Sequence, residues 1–244
     1  MRGVRLLPAV LALLVITATP VHAAPRIVGG VVAEAGEAPW VVALTSSGDQ
    51  FCGGALLGPG QVVTAAHCVD GRPPASITVV GGRLDLRTGD GATSAVSAHR
   101  VVDGYSTPSR GKDLAVLTLA EPMPYAPLPV AQSSGVYMGG SVGVVYGWGR
   151  QAEDDAVKSP LLHKAHIPIV PDAQCAAVHP RYDAVVMFCA GYPDGGIDSC
   201  VDDSGGPFVI DGRLVGIVSW GVGCARPNLP GVYTRVTTYL SAAA

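Results

Sequence analysis

At residues 198–207 the chain reads Asp198-Ser199-Cys200-Val201-Asp202-Asp203-Ser204-Gly205-Gly206-Pro207. Three acids and two glycines flank Ser204, and glycines let backbone and ligand approach each other closely. A nucleophilic serine needs such room, together with N–H groups directed at a developing oxyanion. An acidic surface turn and a calcium loop are the alternatives, although the stretch lacks the EF-hand ligand pattern.

Short apolar segments between turn residues predict an all-β chain of barrel or sandwich type. The 32 glycines and 20 prolines indicate frequent turns, and long amphipathic helical patterns are absent. The turn-rich stretch 120–134 predicts a linker between two halves of roughly 100 residues each. The predicted strands are residues 40–45, 61–64, 77–80, 114–119, 141–146, 207–210, 214–219 and 231–236.

The first residues have the character of a secretory signal peptide. Arg2 and Arg5 precede an apolar run, 6–16, that is too short to span a bilayer, and small residues up to Ala23 suit cleavage after that position. We therefore expect a signal peptide at residues 1–23 and a secreted, extracellular protein.

Composition and charge restrict the partners. Of the 244 residues 48% are hydrophobic and 14% charged, which excludes disorder. Without residues 1–26 the chain keeps 13 of its 16 basic residues and all 19 acidic ones, a formal charge of −6. This charge argues against a nucleic acid or an anionic membrane as the partner, and it is compatible with a cationic substrate.

All six cysteines follow the expected signal peptide, and disulfides are the first interpretation for an exported chain. Zinc binding is the competing one, but the sequence has no Cys-x-x-Cys pair. Six cysteines allow 15 pairings, and their spacing alone does not choose among them.

Two further residues are candidates for chemistry. His67 follows a strand-like run and precedes a cysteine, and alone it would be interpreted as structural. Asp113 opens a very apolar segment, where a buried carboxylate must be paired or solvated; alone it would be a turn aspartate.

Six segments resemble, in order, the hallmark segments of the trypsin-like (chymotrypsin-fold) serine peptidases, and together they extend over nearly all of 27–240. They are Arg26-Ile27-Val28-Gly29-Gly30, Thr64-Ala65-Ala66-His67-Cys68, Asp113-Leu114-Ala115-Val116-Leu117, Gly147-Trp148-Gly149, Asp203-Ser204-Gly205-Gly206-Pro207 and Ser219-Trp220-Gly221. The resemblance implies an all-β fold: two six-stranded antiparallel β-barrels, packed face to face with the active site between them, and a short C-terminal helix. The peptidase domain would be 27–244, with barrels at about 27–125 and 135–244.

The resemblance also implies a mechanism. His67, Asp113 and Ser204 would form the catalytic triad of an endopeptidase, and the N–H groups of Asp202 and Ser204 the oxyanion hole. Asp198 would select Arg or Lys before the scissile bond. The other residues of the substrate pocket would be Ser199, Ser219, Gly221 and Gly231.

Activation and disulfide pairing follow from the same resemblance. Cleavage after Arg26 would remove a propeptide, 24–26, and free the α-amino group of Ile27 to pair with Asp203. The implied disulfides are Cys52–Cys68, Cys175–Cys189 and Cys200–Cys224. We expect a monomer without cofactor or metal, acting on proteins or peptides and open to protein protease inhibitors.

Asp202 departs from the family pattern, which usually has glycine there. At about 7 Å and an effective dielectric of about 20, its charge would repel the oxyanion by roughly 2 kcal/mol, less if the carboxylate points to solvent, as we expect. The sequence therefore predicts a slowed or inhibitor-resistant enzyme. The alternative is a catalytically silent homologue that acts as a binding module.

Overall fold

The computed structural model describes residues 27–240. The expected signal peptide, the propeptide and Arg26 lie outside the described residues. Strand β1 is Val31–Val32 and precedes the first barrel. The first barrel consists of β2 (Val41–Ser46), β3 (Asp49–Gly58), β4 (Gln61–Thr64), β5 (Thr78–Gly81), β6 (Ala92–Val101) and β7 (Ala115–Leu119). These strands close in the order β2-β3-β4-β7-β6-β5, and every pairing is antiparallel.

The second barrel follows after a long connection. It consists of β8 (Val142–Gly147), β9 (His163–Val170), β10 (Met187–Ala190), β11 (Pro207–Ile210), β12 (Arg213–Trp220) and β13 (Gly231–Arg235). The order is β9-β10-β13-β12-β11-β8, and β8 pairs with β9 to close the barrel. Strand β1 pairs with β9 from outside, with Val31 opposite Lys164.

Helices are few and short within residues 27–240. They are α1 (Ala66–Val69), α2 (Asp172–Val178) and α3 (Thr237–Leu240), with 3-10 turns at Pro74–Ser76, Pro108–Arg110 and Ser134–Tyr137. Two closed six-stranded antiparallel barrels and a short C-terminal helix confirm the fold that the sequence predicted. No helix in this part of the chain is long and apolar enough to cross a membrane.

Aromatic side chains fill the second barrel. Phe188, Phe208 and Tyr233 are fully buried, and their ring centroids lie 4.9–5.2 Å apart. Aromatic contacts of this kind contribute about 0.5–1.5 kcal/mol beyond the burial of their area. The first barrel instead buries aliphatic side chains such as Leu44, Leu56 and Leu117.

The barrels touch where β3 meets the segment that contains Ser204. The Gly53 N–H donates to the Ser204 carbonyl oxygen at 2.8 Å. A Cβ on Gly53 would lie 3.1 Å from the Gly206 Cα, which is closer than ordinary packing. Glycine at position 53 therefore leaves room for the Gly206 backbone at this contact.

The predicted strands agree with the structure within one residue at each end, and 61–64 and 207–210 agree fully. Strands β1, β3, β6, β9 and β10 were not predicted. Strand β6 is largely exposed and polar, β9 contains Pro168, and β10 has only four residues.

We predict that Gly53→Ala lowers the free energy of unfolding by about 1–3 kcal/mol, because the new methyl group presses on the Gly206 backbone. Urea unfolding monitored by tryptophan fluorescence measures this change. The matched control is Gly58→Ala in the same strand, where a Cβ would have no atom within 4 Å. Equal effects of the two substitutions would contradict a tight contact at Gly53.

Candidate active site

His67 and Asp113 are held together by two hydrogen bonds. The His67 backbone N–H donates to Asp113 Oδ1 at 2.9 Å, and His67 Nδ1 lies 2.8 Å from Asp113 Oδ2. The Asp113 side chain is fully buried, whereas 24% of the His67 side chain is exposed. The Ser219 hydroxyl also donates to Asp113 Oδ2 at 2.6 Å. Asp113 therefore fixes both the ring orientation of His67 and the start of α1.

Ser204 lies on a sharp turn that leads into β11. Gly205 has φ +78°, and a Cβ at that position would overlap Thr64 Oγ1, so only glycine fits. The Gly205 N–H donates to the Val218 carbonyl oxygen of β12 at 2.8 Å. The turn is thus fixed by both barrels.

A cleft of about 520 Å³ is lined by His67, Ser204 and Asp198. No hydrogen bond joins Ser204 Oγ to His67 among the described residues. The contacts of a general base often tighten only when substrate is bound, so the shared cleft is the relevant observation. The structure brings His67 and Ser204 of the expected triad to one cavity between the barrels, and the buried Asp113 is hydrogen-bonded to His67.

Two backbone N–H groups lie free beside Ser204. Within residues 27–240, the N–H groups of Asp202 and Ser204 donate to no protein atom, and both residues line the cleft. The Val201 carbonyl oxygen accepts a hydrogen bond from the Arg150 N–H at 2.9 Å. Because carbonyl and N–H point in opposite directions across a trans peptide, this bond directs the Asp202 N–H away from Arg150.

The Asp202 side chain has a cationic neighbour. Asp202 Oδ2 lies 3.9 Å from Arg150 Nε, and a quarter of the Asp202 side chain is exposed. The backbone of Asp202 has φ +74°, a conformation that favours glycine. The sequence analysis expected the Asp202 carboxylate to point toward solvent, but it is only partly exposed. Its contact with Arg150 was not predicted.

Asp198 lines the cleft and is 3% exposed. Its Oδ1 atom accepts hydrogen bonds from the Ser199 N–H at 2.8 Å and from the Tyr233 hydroxyl at 3.3 Å. A Cβ on Gly231 would lie 2.7 Å from this atom, so Gly231 keeps the space beside the carboxylate open. The other expected pocket residues, Ser199, Ser219 and Gly221, also line the cleft.

Burial raises the pKa of Asp198 from its ordinary value to about 7, although its hydrogen bonds oppose the rise. A cation that entered the cleft would be drawn to the ionised form. Burial therefore imposes an unfavourable desolvation on the Asp198 carboxylate, and a cationic ligand would offset it.

Asp203 is the other buried acid of the segment. Its carboxylate accepts hydrogen bonds from the Gly149 N–H at 2.8 Å and from the Cys200 N–H at 2.9 Å. No cation pairs with it within residues 27–240. Burial raises its pKa to about 7. Ile27, its expected partner, is fully buried, and Val28 next to it pairs with Asp198.

An ion pair with one member in the lining of the cleft was not predicted from the sequence. Glu153 accepts hydrogen bonds from the Arg226 side chain and from the Cys224 N–H, and it lines the cleft. No local signal in the sequence marks this pair, because 73 residues separate its members.

Three disulfides are present, between Cys52 and Cys68, Cys175 and Cys189, and Cys200 and Cys224. This is the pairing that the resemblance implied. The first joins β3 to the helix of His67, and the third joins the Ser204 segment to Cys224, with both of its cysteines lining the cleft. Each contributes about 2–4 kcal/mol.

Comparisons with known proteins agree with this architecture. The family model described as Trypsin matches residues 27–243. A protein named Trypsin from Saccharopolyspora erythraea is 43% identical over 215 residues, which are 87% of this chain and 94% of that relative. One named Trypsin from Squalus acanthias is 39% identical over 223 residues, 88% of this chain and 93% of the relative. Another from Xenopus laevis is 37% identical over 222 residues, 88% of each.

We predict that binding of benzamidine, an aryl cation, weakens by about 100-fold from pH 8 to pH 5. The ionised Asp198 attracts the cation, and this charge is lost as pH falls through its pKa of about 7. Calorimetric titration of the chain that begins at Ile27, with Ser204→Ala, measures the dissociation constant. The Asp198→Asn variant should bind weakly at every pH. An affinity for benzamidine that stays constant from pH 5 to pH 8 in the unsubstituted pocket would contradict the role of Asp198 in binding the cation.

Proposed function

Because the chain belongs to the trypsin family of serine endopeptidases, we propose that it hydrolyses peptide bonds after Arg or Lys and is made as a secreted zymogen. The observation that carries the specificity is the buried Asp198 carboxylate in the lining of the cleft. Its substrates are proteins or peptides.

A long cationic side chain suits this pocket. The Asp198 carboxylate is desolvated before substrate binds, so an entering guanidinium or ammonium group regains favourable electrostatics that a neutral side chain cannot supply. Gly221 and Gly231 leave the walls without side chains, and a Cβ on Gly231 would contact Asp198 itself. A neutral or acidic residue before the scissile bond leaves the carboxylate without a partner, which lowers kcat/KM.

The chemistry follows from the arrangement in the cleft. Ser204 Oγ attacks the scissile carbonyl carbon while His67 Nε2 accepts the hydroxyl proton. His67 then passes this proton to the leaving amine, and the acyl-enzyme is hydrolysed by water activated in the same way. Asp113 holds Nδ1 of His67 and stabilises the imidazolium that forms. The free N–H groups of Asp202 and Ser204 stabilise the oxyanion.

Cleavage after Arg26 activates the chain. In the uncut chain Ile27 is buried with φ +49°, which for a β-branched residue costs about 1–3 kcal/mol. Cutting the bond before Ile27 removes the restriction on φ, because an N-terminal residue has no preceding carbonyl. The new N-terminus can then stay buried without that strain.

Asp203 is the partner of the new ammonium group. Its burial without a cation raises its pKa to about 7, so the uncut chain carries a cost that grows as pH rises from about 4 to about 7. An ammonium at Ile27 offsets this cost and stabilises the segment that carries Asp202 and Ser204.

The remaining organisation is part of the same proposal. Residues 1–23 are the signal peptide, 24–26 the propeptide and 27–244 the peptidase domain, with barrels at about 27–125 and 135–244. The enzyme is a monomer, and protein inhibitors that present Arg or Lys to Asp198 are further partners.

We predict that the chain processed to begin at Ile27 hydrolyses a chromogenic arginine anilide. Ser204→Ala should lower kcat by about 10⁴-fold or more, because the nucleophile is lost. Asp198→Asn should keep the triad but lower kcat/KM for this substrate by about 10³-fold or more. Initial rates at pH 8 measure both effects.

Each outcome of this experiment has a distinct meaning. An Asp198→Asn variant as active as the unsubstituted enzyme would refute the proposed specificity and leave the peptidase chemistry intact. No turnover by folded, correctly processed protein would refute the activity and favour the silent binding module.

Asp202 should slow the reaction because the residue whose N–H would stabilise the oxyanion also carries a negative charge. Arg150 and solvent reduce the repulsion, so we predict that Asp202→Asn and Asp202→Gly each raise kcat by about three- to tenfold, up to ~1.4 kcal/mol. Steady-state kinetics with the arginine anilide measure the change. A rise in the glycine variant alone would assign the effect to the side chain's bulk or to the backbone at φ +74°. An unchanged or lower kcat in both would contradict the charge argument.

A further inference from the structure

Gln50 lies near the start of β3, outside the cleft, and its side chain reaches the oxyanion-hole segment. Gln50 is 3% exposed, and its Nε2 atom donates to the Asp202 carbonyl oxygen at 2.8 Å. Its Oε1 atom is buried and has no hydrogen-bond partner among the described residues. An unsatisfied buried acceptor lowers the stability of the fold, so the Gln50 amide contributes less to stability than a fully paired side chain would.

We propose that Gln50 is a positioning residue for the oxyanion hole, a role that rests on the proposed peptidase function. The donated hydrogen bond fixes the peptide unit between Asp202 and Asp203. The peptide unit before it is fixed by the Arg150 N–H on the Val201 carbonyl oxygen. Both peptide planes next to Asp202 are therefore held from outside the segment.

External support is needed because Asp202 is not glycine. A residue with a side chain disfavours φ +74°, and rotation toward negative φ would turn the Asp202 N–H out of the cleft. The hydrogen bond from Gln50 opposes this rotation, since it would carry the Asp202 carbonyl oxygen away from Nε2. Gln50 thus compensates for the backbone strain that aspartate introduces.

The position of Gln50 is itself fixed. Lys158 Nζ donates to the Gln50 carbonyl oxygen, and Lys158 pairs across a β-bridge with Arg150. Residues 150 and 158, the two ends of one surface loop, therefore contact Val201 and Gln50 respectively. The support of Asp202 extends from the first barrel to this loop without touching the substrate.

The test replaces Gln50 by methionine, which keeps the length of the side chain and removes the donor. In the processed enzyme, Gln50→Met should lower kcat for the arginine anilide by about tenfold and leave KM within about twofold. An arginine peptide aldehyde forms a hemiacetal with Ser204 whose oxygen occupies the oxyanion hole, and its affinity should fall by a similar factor. Benzamidine, which occupies only the Asp198 pocket, should bind as before.

Two further variants separate positioning from general stability. Gln50→His, which offers a ring N–H, should retain most of the lost kcat. Gln132→Met is the matched control, because Gln132 is an exposed glutamine whose Nε2 donates to the Val130 carbonyl oxygen. It should change none of these quantities. Equal losses of aldehyde and benzamidine affinity in Gln50→Met, or unchanged kcat and aldehyde affinity, would overturn the proposal.

A spectroscopic measurement tests the positioning role of Gln50 without depending on turnover. The amide ¹H–¹⁵N resonance of Asp202 should shift or split in Gln50→Met and stay in place in Gln132→Met. If the unsubstituted enzyme did not hydrolyse the arginine anilide, the proposed function would fail, and this resonance would still test the positioning. An Asp202 resonance that is the same in both variants would overturn it.

Discussion

The hydrogen bond from the Gly53 N–H to the Ser204 carbonyl oxygen joins the two barrels at the point where the chemistry takes place. On the other side of the same turn, the Gly205 N–H is bound by Val218 of the second barrel. Ser204 is thus placed by neither barrel alone. His67 belongs to the first barrel's side of the cleft and Asp198 to the second, so their mutual distance depends on this contact.

Three buried carboxylates surround the turn, and each is stabilised differently. Asp113 accepts hydrogen bonds from His67 and Ser219. Asp203 has only backbone N–H groups, and Asp198 has a backbone N–H and hydroxyls. Burial raises the pKa values of Asp198 and Asp203 to about 7. A buried carboxylate stays ionised only where neighbouring groups donate hydrogen bonds to it or a cation pairs with it. These three side chains therefore depend on the residues packed around them.

Much of the fold and of the site could be predicted from the sequence, where local chemistry marks the residues. Valine-rich strands were found because both faces of many of them are buried, whereas β6 was missed because half of it faces solvent. His67, Asp113, Ser204 and Asp198 stand in recognisable segments. Gln50 could not be found in this way, because it acts on Asp202 across 152 residues of chain.

Charged neighbours that lie far apart in the sequence are equally hard to predict. Aspartate at position 202 was evident in the sequence, but Arg150 as its neighbour depends on how a loop folds back over the segment. Pairs such as Glu153 and Arg226 also arise only after tertiary folding. Sequence patterns report what a residue is able to do, and contacts between distant segments decide what surrounds it.

The pairing of β1 with β9 limits how early the fold can be completed while the chain is being synthesised. Val31 is among the first residues of the domain to leave the ribosome, yet its partner Lys164 emerges much later, and Asp198, the partner of Val28, later still. The first barrel has all its strands once Leu119 has emerged, but the N-terminal segment must wait for nearly the whole chain. Such long-range pairing makes folding slow and leaves the pocket among the last parts to form. A chain that is still being made therefore cannot yet have a finished pocket.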